Sequence, residues 1–238
     1  MGIDYNKRPA APPPAAPPAQ AGGWGPPQGA PAGAPVSLSK VTLTKSAPAV
    51  SLSKHGGQTG IMRINLNWAA LPPAKGLFRK NTALDLDLGC LYEFADGTKG
   101  VVQALGNSFR ARPRTGNQDL VWLDGDDRSG AVSTGENMFI NLDGLAQIKR
   151  VLVFALIYEG AANWAAARGV LTIFPVGAQP IEVLLDDPRD GARICAVAQL
   201  INTGGGLTVQ REVNYLNGAQ RLLDETYGWG MNWTPGRK

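Results

Sequence analysis

The chain has 238 residues, 44% hydrophobic and 18% charged, with a formal net charge of +4 and a sequence pI near 9.2; that length suffices for one large domain or two small ones. The longest apolar run, Val151 to Tyr158, is far short of the roughly 20 residues that a membrane-spanning helix needs. Residues 1–60 carry five basic side chains against Asp4 alone and residues 61–238 carry 18 of each sign, so the neutral body lacks the broad basic field behind non-specific DNA affinity.

Residues 1–35 hold 10 Pro, 9 Ala and 6 Gly, residue types that cannot build a packed core. They read as a disordered Pro/Ala/Gly-rich arm, with Trp24 its only large apolar side chain past Tyr5, and residues 36–238 read as one folded domain. The arm has no apolar signal-peptide core. A short repeat follows: Val36-Ser37-Leu38-Ser39-Lys40, Val41-Thr42-Leu43-Thr44-Lys45 and Val50-Ser51-Leu52-Ser53-Lys54. Each copy alternates apolar and polar, the period of a half-buried strand, and ends on Lys, which discourages edge-to-edge pairing. Pro48 between the second and third copies argues for two different strands or an edge.

Next, Met62, Ile64, Leu66 and Trp68 alternate with Arg63, Asn65 and Asn67, and Leu84, Leu86 and Leu88 alternate with Asp85, Asp87 and Gly89. Both carboxylates then share one side of one strand, away from the leucines. Further strand-like runs are Val101–Leu105, Leu120–Leu123, Met138–Leu142, Arg150–Tyr158, Val170–Val176, Ile181–Leu185, Arg193–Ile201 and Leu207–Val213. About ten short strands without long helical crossovers predict an all-β fold, a sandwich or a barrel. Two short helices are expected, at Asp143–Lys149 and at Gly218–Glu225, the latter with Asn217 as N-cap. Gly204-Gly205-Gly206 reads as a hairpin turn. Cys90 and Cys195 stand in apolar stretches without a CxxC partner or a nearby His; they read as buried thiols in a reducing cytoplasm. Trp164, Trp229 and Trp233 read as core closure rather than as a ligand platform.

The densest chemistry lies at Leu123-Asp124-Gly125-Asp126-Asp127-Arg128-Ser129-Gly130, followed by Gly135-Glu136. Between Asp119 and Asp143 six acidic residues face only Arg128. Two carboxylates about 5 Å apart repel by about 3 kcal/mol at an effective dielectric of 20. A hard cation with oxygen ligands would relieve them, and calcium accepts six to eight oxygens at flexible angles. The spacing is not that of an EF-hand, because position 12 counted from Asp124 is Gly135. Asp85 and Asp87 would complete the site if their strand runs alongside. The alternative is a solvated turn in which Asp124 and Asp127 accept hydrogen bonds from local backbone amides.

The VSLSK repeat, Asn67-Trp68, Leu84-Asp85-Leu86-Asp87 and Gly125-Asp126-Asp127-Arg128-Ser129-Gly130, in that order, resemble the TerD-type family of tellurium-resistance and stress proteins. Val102-Gln103-Ala104-Leu105-Gly106-Asn107, Leu152-Val153-Phe154, Ile157–Trp164 and Tyr227–Trp233 resemble its TerA branch. The resemblance covers residues 36–233 and implies a β-sandwich of two mainly antiparallel sheets with one or two short helices. It further implies calcium bound at one end, in cytoplasmic bacterial proteins tied to tellurite resistance and stress. The family's loop pattern, GDNxTGxGDGDDE, matches in its first half. Its second half falls on Val132–Asn137, where only Glu136 keeps a carboxylate. One calcium site, or a weakened pair, is therefore expected from Asp85, Asp87, Asp124, Asp126, Asp127 and Glu136, with Asn107 as a further candidate.

These readings converge on a calcium-binding, non-catalytic stress protein acting through ion-dependent folding or assembly with related family proteins. Two alternatives stand beside it. A metal-dependent hydrolase would use the same carboxylates, but His55 is the one histidine and no GxSxG elbow or GxxxxGKS loop occurs. A scaffold or nucleic-acid-contacting module would work through the basic leader or through Arg110, Arg112 and Arg114, the one basic knot of the body. No membrane span is expected.

Overall fold

Alternation in the repeat resolves into two strands on two different sheets. The computed structural model describes residues 40–52, 59–68, 84–125, 135–204 and 206–233; the 1–35 arm and all but Lys40 of the first repeat copy lie outside the described residues. The strands are β1 (Val41–Thr42), β2 (Ala49–Ser51), β3 (Ile61–Asn67), β4 (Asp85–Phe94), β5 (Lys99–Val102), β6 (Arg110–Ala111), β7 (Val121–Leu123), β8 (Glu136–Asn141), β9 (Ile148–Glu159), β10 (Gly169–Phe174), β11 (Ile181–Leu185), β12 (Ile194–Asn202) and β13 (Leu207–Leu216). Two short α-helices join them, α1 (Trp164–Ala167) and α2 (Gln220–Tyr227). A seven-stranded sheet runs β1-β11-β10-β3-β8-β7-β6 and a six-stranded sheet runs β2-β13-β12-β9-β4-β5. Among the described residues only β1 with β11 pairs parallel. Pro48 thus stands between two edge strands, and Lys40 at the β1 edge binds Glu182 Oε2 through Nζ at 2.6 Å.

The main core lies between the sheets. Met62, Ile64, Leu66, Met138, Ile140, Leu171 and Ile173 face Leu86, Leu88, Cys90, Val151, Val153, Val197 and Val209. In β3, β8 and β10 the residues between them point outward, and in β3 this shows in the sequence as Arg63 and Asn65 between Met62, Ile64 and Leu66. The six-stranded sheet is different because α2 and the chain after it cover its other face. There Leu91, Leu152, Phe154, Ile194 and Ala196 form a second core beneath Leu223 and Trp229. Burial on both faces is why β9 reads as an unbroken apolar run, Val151–Tyr158. Gly89 is required on that face, since a Cβ there would fall 2.4 Å from the Phe154 ring.

A charged latch holds the second core. Arg150 stacks over the Trp229 ring at 3.7 Å and donates to the carbonyls of Tyr227 and Gly228. Lys99 Nζ donates to Trp229 O at 2.8 Å, so cations satisfy carbonyls at and just after the α2 C-terminus. Glu93, buried on β4, accepts from Lys149 at 2.7 Å and from Arg150 Nε at 2.6 Å. Burial alone would raise the Glu93 carboxyl. The hydrogen bonds from Lys149 and Arg150, with the charges of Arg150 and Lys99, outweigh it and hold the group below its ordinary value. A depressed folded pKa stabilises above the unfolded value, about 4.3, and that stability is lost as pH falls through the folded one. Acid titration of unfolding free energy should therefore fall less steeply below pH about 4.3 in Glu93→Gln than in the parent chain; parallel profiles would contradict the latch.

Local departures have local causes. The predicted helix at Asp143–Lys149 is a 3-10 segment, Leu142–Gln147, opened by Asn141, whose side chain accepts from Asp143 N. Asn217 does not cap α2: the N-cap is Ala219, with no side-chain hydrogen bond. Helix α1 was not foreseen, and its signal is Asn163, whose Oδ1 accepts from Ala166 N at 2.9 Å. Beyond β12, Thr203 N donates to Gly206 O at 2.9 Å, closing the expected hairpin. Trp164 is fully buried and donates Nε1 to Ala192 O, and both cysteines are buried and free.

Candidate metal centre

The acidic residues foreseen on β4 occupy alternate positions to Leu86 and Leu88, as expected, yet they are not on a solvated face. Asp85 and Asp87 are 6% and 3% exposed. Strand β5 accompanies β4 only from Cys90, opposite Val102, to Glu93, opposite Lys99. Over Asp85–Gly89 the paired neighbour is β9. There the Leu88 N–H is taken by a side chain from the opposite sheet: Glu136 Oε2 accepts it at 2.7 Å.

Glu136 opens β8 on its inner face, in line with buried Met138 and Ile140, and is 2% exposed. It is a carboxylate at the rim of the main core, placed by register opposite Leu66. Gly135, just before it, has φ +68, and a Cβ there would meet Leu66 O at 2.1 Å. Only glycine allows the chain to enter β8 so close to β3. At the other end of the loop, Asp124 extends the β7–β8 pairing: its N–H donates to Asn137 O at 3.1 Å. Its Oδ1 accepts from Asn137 N at 3.2 Å and its Oδ2 from Asn137 Nδ2 at 2.9 Å. The Asn137 amide oxygen in turn accepts from Arg63 and Asn65. Asp124 therefore fastens the loop base in the manner of a turn carboxylate.

The four described carboxylates between Asp119 and Asp143 have separate tasks. Asp119 is paired with Arg110 at 3.0 Å and with Arg112 at 2.9 Å. Asp143 accepts from Gly60 N at 2.8 Å. Arg114 uses its backbone N–H, donating to Asp96. Two arginines of the basic knot, Arg110 and Arg112, thus share one carboxylate, Asp119. Asn107, at φ +55, sits in the turn after β5, and the β4–β5 register sends this turn toward the Asp85 end of β4.

Asp126, Asp127 and Arg128 lie outside the described residues, as does His55. Among the described residues no three His, Cys, Asp or Glu side chains gather closely enough to hold a metal ion. The described part of the expected ligand set is Asp85, Asp87 and Glu136, all buried, with Asp124 exposed at the loop base. These donors are all oxygen, the set that suits a hard cation. The thiols are elsewhere, buried, with burial pushing Cys90 and Cys195 well above their ordinary pKa.

No family model matches the chain. The tellurium resistance protein TerA of Alcaligenes sp is 44% identical to it over 220 residues, which are 90% of this chain and 62% of that protein. The chain thus spans a little under two thirds of that relative's length. Two crystal structures align at a TM-score of 0.49. One, of a protein of unknown function, is 19% identical and matches 70% of this chain and 95% of its own. The other, a homologue of telluride resistance protein TerD from Streptomyces coelicolor A3(2), is 22% identical and matches 69% and 95%. The similarity to the tellurium resistance protein TerA runs along nearly the whole chain, which is TerA-like in sequence.

Proposed function

We propose that this chain is a calcium-binding, non-catalytic stress-response protein associated with tellurite resistance. The observation that carries the reading is the burial of Asp85 and Asp87 on β4 and of Glu136 on β8, with Glu136 joined to β4 at the Leu88 amide. Buried carboxylates are costly unless a cation or hydrogen bonds compensate them. Calcium bound by the expected ligands, Asp126 and Asp127 among them, would cancel the mutual repulsion of the carboxylates, so binding energy would appear as folding energy. The ion would bind in one site, or a weakened pair, since Glu136 is the one carboxylate kept from the second half of the family's loop pattern. In the cytoplasm such ion-dependent folding would gate assembly with related family proteins. The role in tellurite resistance is indirect, because two buried, separated thiols offer no redox route for an oxyanion.

Thermal melting of the full chain tests this. At calcium 100-fold above its dissociation constant, stabilisation of about 2.7 kcal/mol corresponds to a rise of about 5–10 °C over the chelated protein. Equal melting temperatures with calcium and with excess chelator would remove the proposal.

A further inference from the structure

Two residues join β13 to the N-cap of α2, and they are the one Asn-Gly pair in the chain, Asn217-Gly218. Asn217 is exposed, and it leaves the N-cap to Ala219. Among the described residues no hydrogen bond holds its side-chain amide. The last ladder pair of β13 is Leu216 with Ile194, and α2 begins its backbone bonding with Leu222 and Leu223 donating to Ala219 O. The Gly218 peptide nitrogen falls between the two and is engaged by neither sheet nor helix. Other asparagines are fastened: Asn137 to Asp124, Asn141 to Asp143 N, Asn163 to Asp190 and Ala166 N, and Asn202 to the carbonyls of Leu145 and Ile148. Each of these precedes a residue with a side chain. Packing fixes the glycine at 218, since a Cβ there would stand 2.7 Å from Leu222 Cδ2 and 3.0 Å from Leu222 Cβ. Seating α2 therefore demands the residue type that leaves the peptide nitrogen beside Asn217 unhindered.

We infer that Asn217-Gly218 is a spontaneous modification site, at which Asn217 deamidates and the connector into α2 is altered. The reaction needs no partner beyond water. Gly218 N attacks Asn217 Cγ, the new C–N bond closes a succinimide ring, and Nδ2 leaves as ammonia, taking the Gly218 proton. Water then opens the ring. Attack at the side-chain carbonyl gives aspartate, and attack at the backbone carbonyl gives isoaspartate, whose main chain runs through Cβ. Either product places a carboxylate ahead of α2, whose first turn carries no acidic residue and whose N-cap offers no side-chain acceptor, so the charge itself is favourable there. The isoaspartyl product also inserts an extra backbone atom into a two-residue connector. That connector seats Gly218 against Leu222 and positions Gln220, whose Nε2 donates to Gln103 Oε1 at 2.9 Å inside the protein. The isoaspartyl form therefore loosens the start of α2, and with it the cover that Leu223 gives the second core. The aspartyl form keeps both.

This inference does not depend on calcium. The full chain, aged in mildly alkaline buffer, digested with trypsin and read by mass spectrometry, tests it. Cleavage after Arg211 and Arg221 isolates residues 212–221, whose asparagines are Asn214 and Asn217. The amide-to-acid mass gain is expected at Asn217 faster than at every other asparagine among the described residues, and within tenfold of its rate in a synthetic 212–221 peptide. Asn217→Ser, a change at an exposed position, should abolish it and leave circular dichroism unchanged. After chromatographic separation, the isoaspartyl form should show faster amide exchange at Gln220–Leu223 than the fresh chain, whereas Asn217→Asp should match the fresh chain. An Asn217 that deamidates more than tenfold slower than in the peptide, or no faster than another asparagine, overturns the inference. So does an isoaspartyl form whose α2 exchanges like that of the fresh chain.

Discussion

Gly135→Ala is expected to cost about 3 kcal/mol or more, because a strained backbone and a steric collision act together. At φ +68 an L side chain is disfavoured, and its Cβ would stand 2.1 Å from Leu66 O. That oxygen belongs to the backbone of β3, a central strand of the seven-stranded sheet, so it cannot swing aside as a flexible side chain would. Either the β3–β8 pairing opens at Leu66 and Glu136 or Glu136 is pulled off the Leu88 amide. Both outcomes disturb the end of the sandwich where Glu136 reaches the Leu88 amide. Denaturant unfolding reads the loss directly, and amide exchange at Leu88 should quicken beyond the global change in stability. A loss below about 1 kcal/mol would mean that the chain relaxes there at little cost, and that this rim is less rigid than its geometry implies.

Trp229→Ala is expected to be comparably damaging, about 3–5 kcal/mol, the usual cost of deleting a fully buried aromatic. The ring is 1% exposed, its Nε1 donates to Tyr92 O at 3.0 Å, and Arg150 lies against its face. Its loss would uncover Leu91 and Phe154 on the outer side of the six-stranded sheet and leave the guanidinium without its stacking partner. The following segment is pinned separately, by Asp224 accepting from Gly230 N, Met231 N and Trp233 Nε1. Damage should therefore begin at α2 and spread to β4 and β9, which limited proteolysis with mass analysis can order in time. An unfolding free energy within 1 kcal/mol of the parent would contradict the view that α2 closes a second core.

Much of this architecture was legible from alternation. The polar and apolar alternation of Ile61–Asn67 follows from one buried face, and Pro48 separates the strands it was expected to separate. Burial on both faces was harder to see. The apolar run of β9 signals it, but the Leu-Asp alternation around Asp85 and Asp87 does not distinguish an enclosed side of β4 from a solvated one. The carboxylate count around the loop was also deceptive. Asp119 is claimed by Arg110 and Arg112, which precede it by nine and seven residues, and only the β6–β7 pairing brings them together. Asn217 looked like a cap by residue type, yet the helix starts later, after Ala219. Local chemistry names candidates; long-range register decides among them.

The central claim is that the rim carboxylates hold calcium, and calorimetric titration of the full chain with calcium tests it most directly. Saturable binding with a stoichiometry near one, or two for a weakened pair, is predicted. Asp87→Asn and Asp127→Asn should each weaken it at least tenfold, while Asp119→Asn, a carboxylate already held by two arginines, should leave it unchanged. No saturable heat, or equal affinity in all three variants and the parent, would contradict the account.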